Sequence, residues 1–290
     1  MNRWLEIESE VFRARFNVAP FYVRHSLGTH PLFSIDRLVQ LARTLPKSYC
    51  EWWDGGSGIN YDGSHTPMAG LSAEETARRI EENKSYLVLK WVETDPEYRQ
   101  LLDECMEQIA EHSEAICPGM HKRAGFIFIT APRETVPFHM DHEHNFLLQI
   151  RGQKTVQQWD PNDRFVLTDR EIEEHYAGGK HRYMEYRTAF APTAFTLPIR
   201  AGDGVHFPVC APHTIQNDDN LSISFSITFR SRWTRRRELL YHANARLRRM
   251  GLEPSPVGES RVEDLVKHSA MRVASAVRRL AGSHRTGGND

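Results

Sequence analysis

The 290-residue sequence has no run approaching the ~20 apolar residues that span a bilayer, and its opening Met1-Asn2-Arg3-Trp4-Leu5-Glu6 lacks the apolar core of a secretory signal. These absences set the expectation of a cytoplasmic protein that makes no membrane contact. Cysteine is sparse: Cys50, Cys105, Cys117 and Cys210 lie far apart with no C-x-x-C pair. That spacing suggests neither a disulfide framework nor a structural zinc site and suits reduced, intracellular thiols. Lysine is sparse too, with seven residues in the chain, so any lysine at a chemically pointed position carries weight. No internal repeat is visible. With 40% hydrophobic and 26% charged residues, the chain has ordinary globular composition and enough length to bury a large core.

A net charge of −1 conceals an asymmetry. Residues 230–290 hold 14 basic against 6 acidic side chains, net +8, and residues 1–229 hold 23 against 32, net −9. A basic tail suits nucleic acid, an acidic partner, or the acidic body of the same or a second subunit. Its arginines also sit among apolar residues at helical spacing, which is the pattern of a solvated helix face.

Periodicity divides the chain into three parts: a mixed α/β region over 1–123, a β-rich core over 124–233 and an α-helical tail over 234–290. Residues 34–45 place apolar side chains at three- and four-residue intervals behind a capping Ser34, and Pro46 ends that helix. Ser72-Ala-Glu-Glu75 has capping-box spacing and opens a helix to about Asn83, and Thr94-Asp95-Pro96 starts another through Ile109. A strand is expected at Tyr86–Val92. From Ala124 the texture becomes β, with strands at Gly125–Thr130, Asn145–Ile150, Lys154–Trp159, Val205–Pro208 and Leu221–Phe229. Arg151-Gly152-Gln153 between two of these reads as a hairpin connector. In the last strand Leu221, Ile223, Phe225, Ile227 and Phe229 alternate with Ser222, Ser224, Ser226 and Thr228, so one face is apolar and the other bears hydroxyls. Residues 234–250 and about 261–281 read as two arginine-rich helices separated by a Pro- and Gly-containing loop.

The chemistry centres on Pro137-Phe138-His139-Met140-Asp141. In an extended chain the period of two places His139 and Asp141 on one face, within reach of one metal ion. An H-x-D pair alone is weak, since about 0.7 are expected by chance in this composition. Three neighbours strengthen it. Gly202 to Asn217 follows the second cupin motif, G-x5-P-x-G-x2-H-x3-N, with Cys210 in place of a glycine and His213 as the histidine. The first cupin motif is echoed by His139, Asp141, Asn145 and Gly152, with Asp for its second His and Asn for its Glu. Two histidines and one carboxylate make the facial triad of non-haem Fe(II) oxygenases, whereas a three-His, one-Glu set fills a further position. Lys154 stands fifteen residues after His139; an ammonium inside a barrel is costly unless it meets an anion. The hydroxyl row Ser222–Thr228 is the third neighbour.

Over residues 124–233 the sequence resembles the jumonji-C (JmjC), cupin-like Fe(II)/2-oxoglutarate oxygenases, and within them the asparaginyl-hydroxylase type. The residues that carry this are His139-Met-Asp141-x3-Asn145-Phe-Leu-Leu-Gln-Ile-Arg-Gly152-Gln-Lys154. The resemblance implies a mainly β fold with flanking helices, built on a double-stranded β-helix (cupin or jelly-roll) core. It implies His139, Asp141 and His213 as iron ligands, Lys154 at the distal carboxylate of 2-oxoglutarate and Asn145 beside the chelating end, with Ser226 and Thr228 lining the cosubstrate site. Its cofactors would be Fe(II), 2-oxoglutarate and O2, and hydroxylation of a protein side chain, a peptide or a metabolite is expected before demethylation. Val136 and Thr228 depart from the type, which has a Thr and a second Asn there; Thr135, Ser224 and Ser226 are the candidates to compensate. The C-terminal helices would pair subunits.

Blander readings stand beside these. His142 and His144 are alternative ligands, His206 reads as core, and His112-Ser-Glu114 sits on a helix where its side chains diverge. Trp52-Trp53 either floors a pocket or packs, and Lys154 could pair a structural acid. A cupin metal enzyme without 2-oxoglutarate, and a metal-free regulatory module that contacts DNA through its tail, are the rival functions.

Overall fold

The computed structural model describes residues 2–54, 56, 58–60, 71–178 and 184–283. Along the chain run β1 (Leu5–Glu6), α1 (Ser9–Arg15), β2 (Phe21–His25), α2 (Ile35–Thr44), β3 (Cys50–Asp54), α3 (Ala73–Arg78), α4 (Ile80–Asn83), β4 (Ser85–Lys90) and α5 (Pro96–Ser113). The β-rich part follows with β5 (His121–Thr130), β6 (Thr135–His139), β7 (His144–Arg151), β8 (Gln153–Gln158), α6 (Asp169–Tyr176), β9 (Phe195–Arg200), β10 (Asp203–Phe207), β11 (His213–Asn217) and β12 (Ser222–Arg230). Helices α7 (Arg232–Arg249) and α8 (Arg261–Ser283) close it.

Local chemistry accounts for the helix starts. The Ser34 hydroxyl accepts from Arg37 N (3.3 Å) to open α2, and the Asp95 carboxylate accepts from Glu97 N (3.0 Å) with Pro96 in the first turn of α5. Ser72 and Glu75 cap each other's backbone in α3. The helix expected over 72–83 is broken at Arg79 into α3 and α4.

Two antiparallel sheets face each other: eight strands in the order β1-β2-β10-β7-β12-β5-β4-β3, and four in the order β6-β11-β8-β9. This is the jelly-roll barrel with flanking helices. Strand β12 shows how the barrel is built. Its Ile223, Phe225, Ile227 and Phe229 join Leu38 and Leu41 of α2 and Leu101, Leu102 and Met106 of α5 in the main core, outside the barrel. The hydroxyl face turns inward, and burying each large apolar side chain on the other face contributes roughly 1.5–3 kcal/mol. Inside the barrel a smaller cluster of Leu147, Val156, Ile199, Val205, Phe207 and Ile215 fills the space between the sheets. The strands of the N-terminal region extend the large sheet, since β4 pairs with β5 and β2 with β10.

The hairpin expected at Arg151-Gly152-Gln153 is not one. Strand β7 pairs with β10 and β12, and β8 pairs with β11 and β9, so the chain changes sheets at Gly152. A glycine between two strands signals a sharp corner without saying which sheet each strand joins. Two arginines of the tail are engaged within the molecule: Arg248 holds Glu173 at 2.6 Å, and Arg237 lies over Trp233 and Tyr241 at 4.7 and 5.2 Å. Among the described residues, no helix is long and apolar enough to cross a membrane.

Gly152 has φ +80°, and a Cβ there would collide with the Leu221 carbonyl and with Asn220 Oδ1. Gly152→Ala is therefore expected to lower stability by about 2 kcal/mol or more, read as the midpoint of urea unfolding; an unchanged midpoint would contradict this account of the corner.

Candidate metal centre

His139 ends β6 and His213 begins β11, and the antiparallel register sets them directly opposite each other. Their rings lie 4.1 Å apart between centroids. Asp141, just past the end of β6, brings Oδ2 to 3.7 Å from His213 Nε2 and 3.9 Å from His139 Nε2. The three ligand atoms all lie within 4.8 Å of one another, a triangle of the size one divalent ion spans. Both histidines are buried. His139 Nδ1 is 2.8 Å from the Pro137 carbonyl and His213 Nδ1 is 2.9 Å from the Ala211 carbonyl. A carbonyl only accepts, so each Nδ1 carries the proton and donates it. That leaves both Nε2 lone pairs toward the shared point, the tautomer a metal requires.

A cavity of about 450 Å³ opens on this triangle. Lys154 lines it from β8, with Asn217 of β11 and Ile199 of β9 as cross-strand neighbours. Its side chain is buried, and among the described residues no carboxylate or hydrogen-bond acceptor pairs with it. Burial alone pushes the ammonium down to about 7. Asn145 faces the cavity from β7, and its Oδ1 accepts from the Ser226 hydroxyl at 2.8 Å. Thr228 lies opposite Asn145 in the register and lines the same space. Ser222 and Ser224 do not: their hydroxyls are engaged by Gln149 at 3.0 and 2.7 Å. Ser224 is thus taken up by the floor of the barrel, and Thr135 donates to Gln216 Oε1 at 2.6 Å.

The alternative histidines lie elsewhere. His144 is stacked between Phe16 and Phe229 on the outer face of the sheet, and burial pushes it down to about 3. His206 donates from Nδ1 to the Asn145 carbonyl (3.0 Å) while its Nε2 accepts from Asn17 N (3.3 Å), a neutral core histidine. His142 borders the cavity but is held by Arg230, Glu143 and His175. Trp53 lines the cavity and stacks on Tyr86 at 4.5 Å, whereas Trp52 packs on the other face and donates its indole N–H to the Leu71 carbonyl.

Sequence reasoning missed the wall formed by Tyr86, Val88, Thr130, Phe126 and Phe128, and the rim of Glu143 and His175. Thr130 Oγ1 accepts from Asn217 Nδ2 at 2.5 Å, which ties it to the end of the cavity where Lys154 lies and leaves its own proton to donate. Strand β4 reads as one continuous buried run, so no alternation marks its cavity-facing residues.

A jelly-roll barrel with two histidines and an aspartate at its mouth is the architecture of a metal-binding cupin. The sequence model of the cupin-like domain family matches residues 54–235, and the chain belongs to that family. The fold is similar to that of YcfD from Escherichia coli, whose X-ray structure superposes with a TM-score of 0.52 at 14% identity, covering 94% of this chain and 69% of that one. A second structure of YcfD, described as a ribosomal oxygenase in complex with cobalt and 2-oxoglutarate, gives a TM-score of 0.51 at 16% identity over 94% and 68% of the two chains. No curated protein matches the sequence.

The buried ammonium makes a signed prediction. Its folded value of about 7 lies below the ordinary 10.5, so between these values the folded chain binds fewer protons than the unfolded one and stability rises with pH. Lys154→Met should therefore stabilise the ligand-free protein at pH 7 by a few kcal/mol, about 1.4 kcal/mol per unit of displacement, and flatten that rise. Urea melts between pH 6 and 9 test this; equal or lower stability of the variant would contradict it.

Proposed function

We propose that this protein is an Fe(II)- and 2-oxoglutarate-dependent oxygenase that hydroxylates a side chain of a polypeptide. The observation that carries the reading is a buried ammonium, without a paired acceptor among the described residues, sharing one cavity with a two-histidine, one-carboxylate triad. Leaving a lysine so placed is costly unless a ligand brings an anion. A dicarboxylate keto acid does so and also supplies two metal-binding oxygens. The cobalt and 2-oxoglutarate named for YcfD support this choice, and its description as a ribosomal oxygenase supports our choice of a polypeptide substrate. The donor set fits ferrous iron: nitrogen from neutral imidazoles and one carboxylate oxygen, with positions left open.

When bound, ferrous iron with 2-oxoglutarate and O2 supplies an oxidant for an unactivated C–H bond, the keto acid leaving as succinate and carbon dioxide. His139, Asp141 and His213 would hold the iron. Lys154 would take the far carboxylate, with the Thr130 hydroxyl as a second donor. Asn145, fixed by Ser226, would border the chelating end, and Thr228 the space beside it. Trp53, Tyr86, Phe126 and Phe128 form an apolar wall that excludes water from the reacting group. Four free, buried cysteines suit the reducing cytoplasm.

Succinate formation from 2-oxoglutarate, with mass-shift screening of peptides and metabolites, tests the reading. His139→Ala, Asp141→Ala and His213→Ala should abolish it, and Lys154→Ala should chiefly raise the 2-oxoglutarate requirement. Full turnover by Asp141→Ala would contradict it, and metal-dependent chemistry without 2-oxoglutarate binding would favour a different cupin enzyme.

The tail supports pairing of two copies. Val262, Leu265, Val266 and Val273 of α8 are 75, 61, 64 and 64% exposed, a stripe at three-, four- and seven-residue steps. Leu265→Asp with Val266→Asp should convert a dimer to a monomer by light scattering; an unchanged mass would end the idea.

A further inference from the structure

Glu143 stands two residues after Asp141, in the bend that joins β6 to β7, and borders the same cavity. Its carboxylate is nonetheless outside the group of donors that converges among the described residues. Glu143 Oε1 lies 3.1 Å from Arg230 Nη2 and 2.9 Å from His142 Nε2. Arg230 is the last residue of β12, its side chain only 18% exposed. The same guanidinium contacts His142 and reaches Glu238 of α7 at 3.2 Å. One rigid fork of donors therefore gathers the bend after Asp141 and the first turns of α7.

A divalent ion attracts every carboxylate within reach, and a flexible glutamate beside a metal ligand is a natural extra donor. An extra donor here would be harmful. Two histidines and one carboxylate leave three positions on an octahedral ion, a chelating keto acid uses two, and a second carboxylate would compete for them. The same requirement shows in the sequence, where Asn145 stands at the place of the cupin motif's glutamate. The acid is absent from one position, and the acid nearest to it is tied to an arginine.

We propose that Arg230 holds Glu143 off the metal and so keeps the coordination positions open for the cosubstrate. The inference rests on the metal centre proposed above. Its test is calorimetric titration of the full-length protein with cobalt(II) alone, then of the cobalt-loaded protein with 2-oxoglutarate. Arg230→Met should bind cobalt on the order of tenfold more tightly and 2-oxoglutarate on the order of tenfold more weakly. Arg230→Lys, which keeps the charge and loses the fork, should shift both in the same directions. Adding Glu143→Gln to either variant should return both affinities to those of the wild type. Shifts that persist in the double variants would mean that the Glu143 carboxylate is not their cause and would overturn the proposal, as would unchanged or weaker cobalt binding by the single variants. If Arg230→Met does not fold, Arg230→Lys with and without Glu143→Gln makes the same comparison. Wild-type protein that takes up no cobalt would instead overturn the metal centre itself.

Discussion

The pairing of β6 with β11 is the constraint on which the rest depends. These strands are more than 70 residues apart in sequence, and only their register sets His213 opposite His139. A slip of one residue would turn every side chain of β11 to the opposite face. The register is fixed from outside the site: β11 is held on its other side by β8, and Ile215 packs among Val156, Phe207 and Leu147 inside the barrel. The carbonyls of Pro137 and Ala211 then set the ring orientations. Apolar packing thus fixes the geometry of the polar site.

The same barrel imposes a cost at Lys154. The large sheet turns its hydroxyls, Asn145 and a row of aromatics inward, and the small sheet contributes an ammonium that has no counter-charge among the described residues. A stable protein keeps such a residue where its pairing with a ligand matters more than the stability it removes. At the rim the arrangement is reversed, since Arg230 pairs with both Glu143 and Glu238 and contacts His142. The interior is left open for an anion and the rim is closed on itself.

How much of this is legible in the sequence depends on how local the signal is. The two faces of β12 follow from its alternation, and the capped starts of α2, α3 and α5 follow from Ser34, Ser72 and Asp95. The candidate ligands stand out because motif spacing records the return of the chain to one point. The crossing at Gly152 does not, because a glycine corner looks the same whether the next strand stays in the sheet or leaves it. Strand β3 carries too little alternation to be read, and in β9 the alternation of Phe195, Leu197 and Ile199 is obscured by Pro198, which reads as a strand breaker. The rim cluster is invisible for a different reason: Arg230 and Glu143 are 87 residues apart, and nothing near either one names the other.

The most direct test of the central claim is the anaerobic visible spectrum of the purified protein with ferrous iron and 2-oxoglutarate. A keto acid chelating ferrous iron gives a charge-transfer absorption that neither component shows alone. That band is expected for the wild type, with its loss in Asp141→Ala and its appearance only at much higher 2-oxoglutarate in Lys154→Ala. Absence of the band from iron-loaded wild-type protein at saturating 2-oxoglutarate would contradict it.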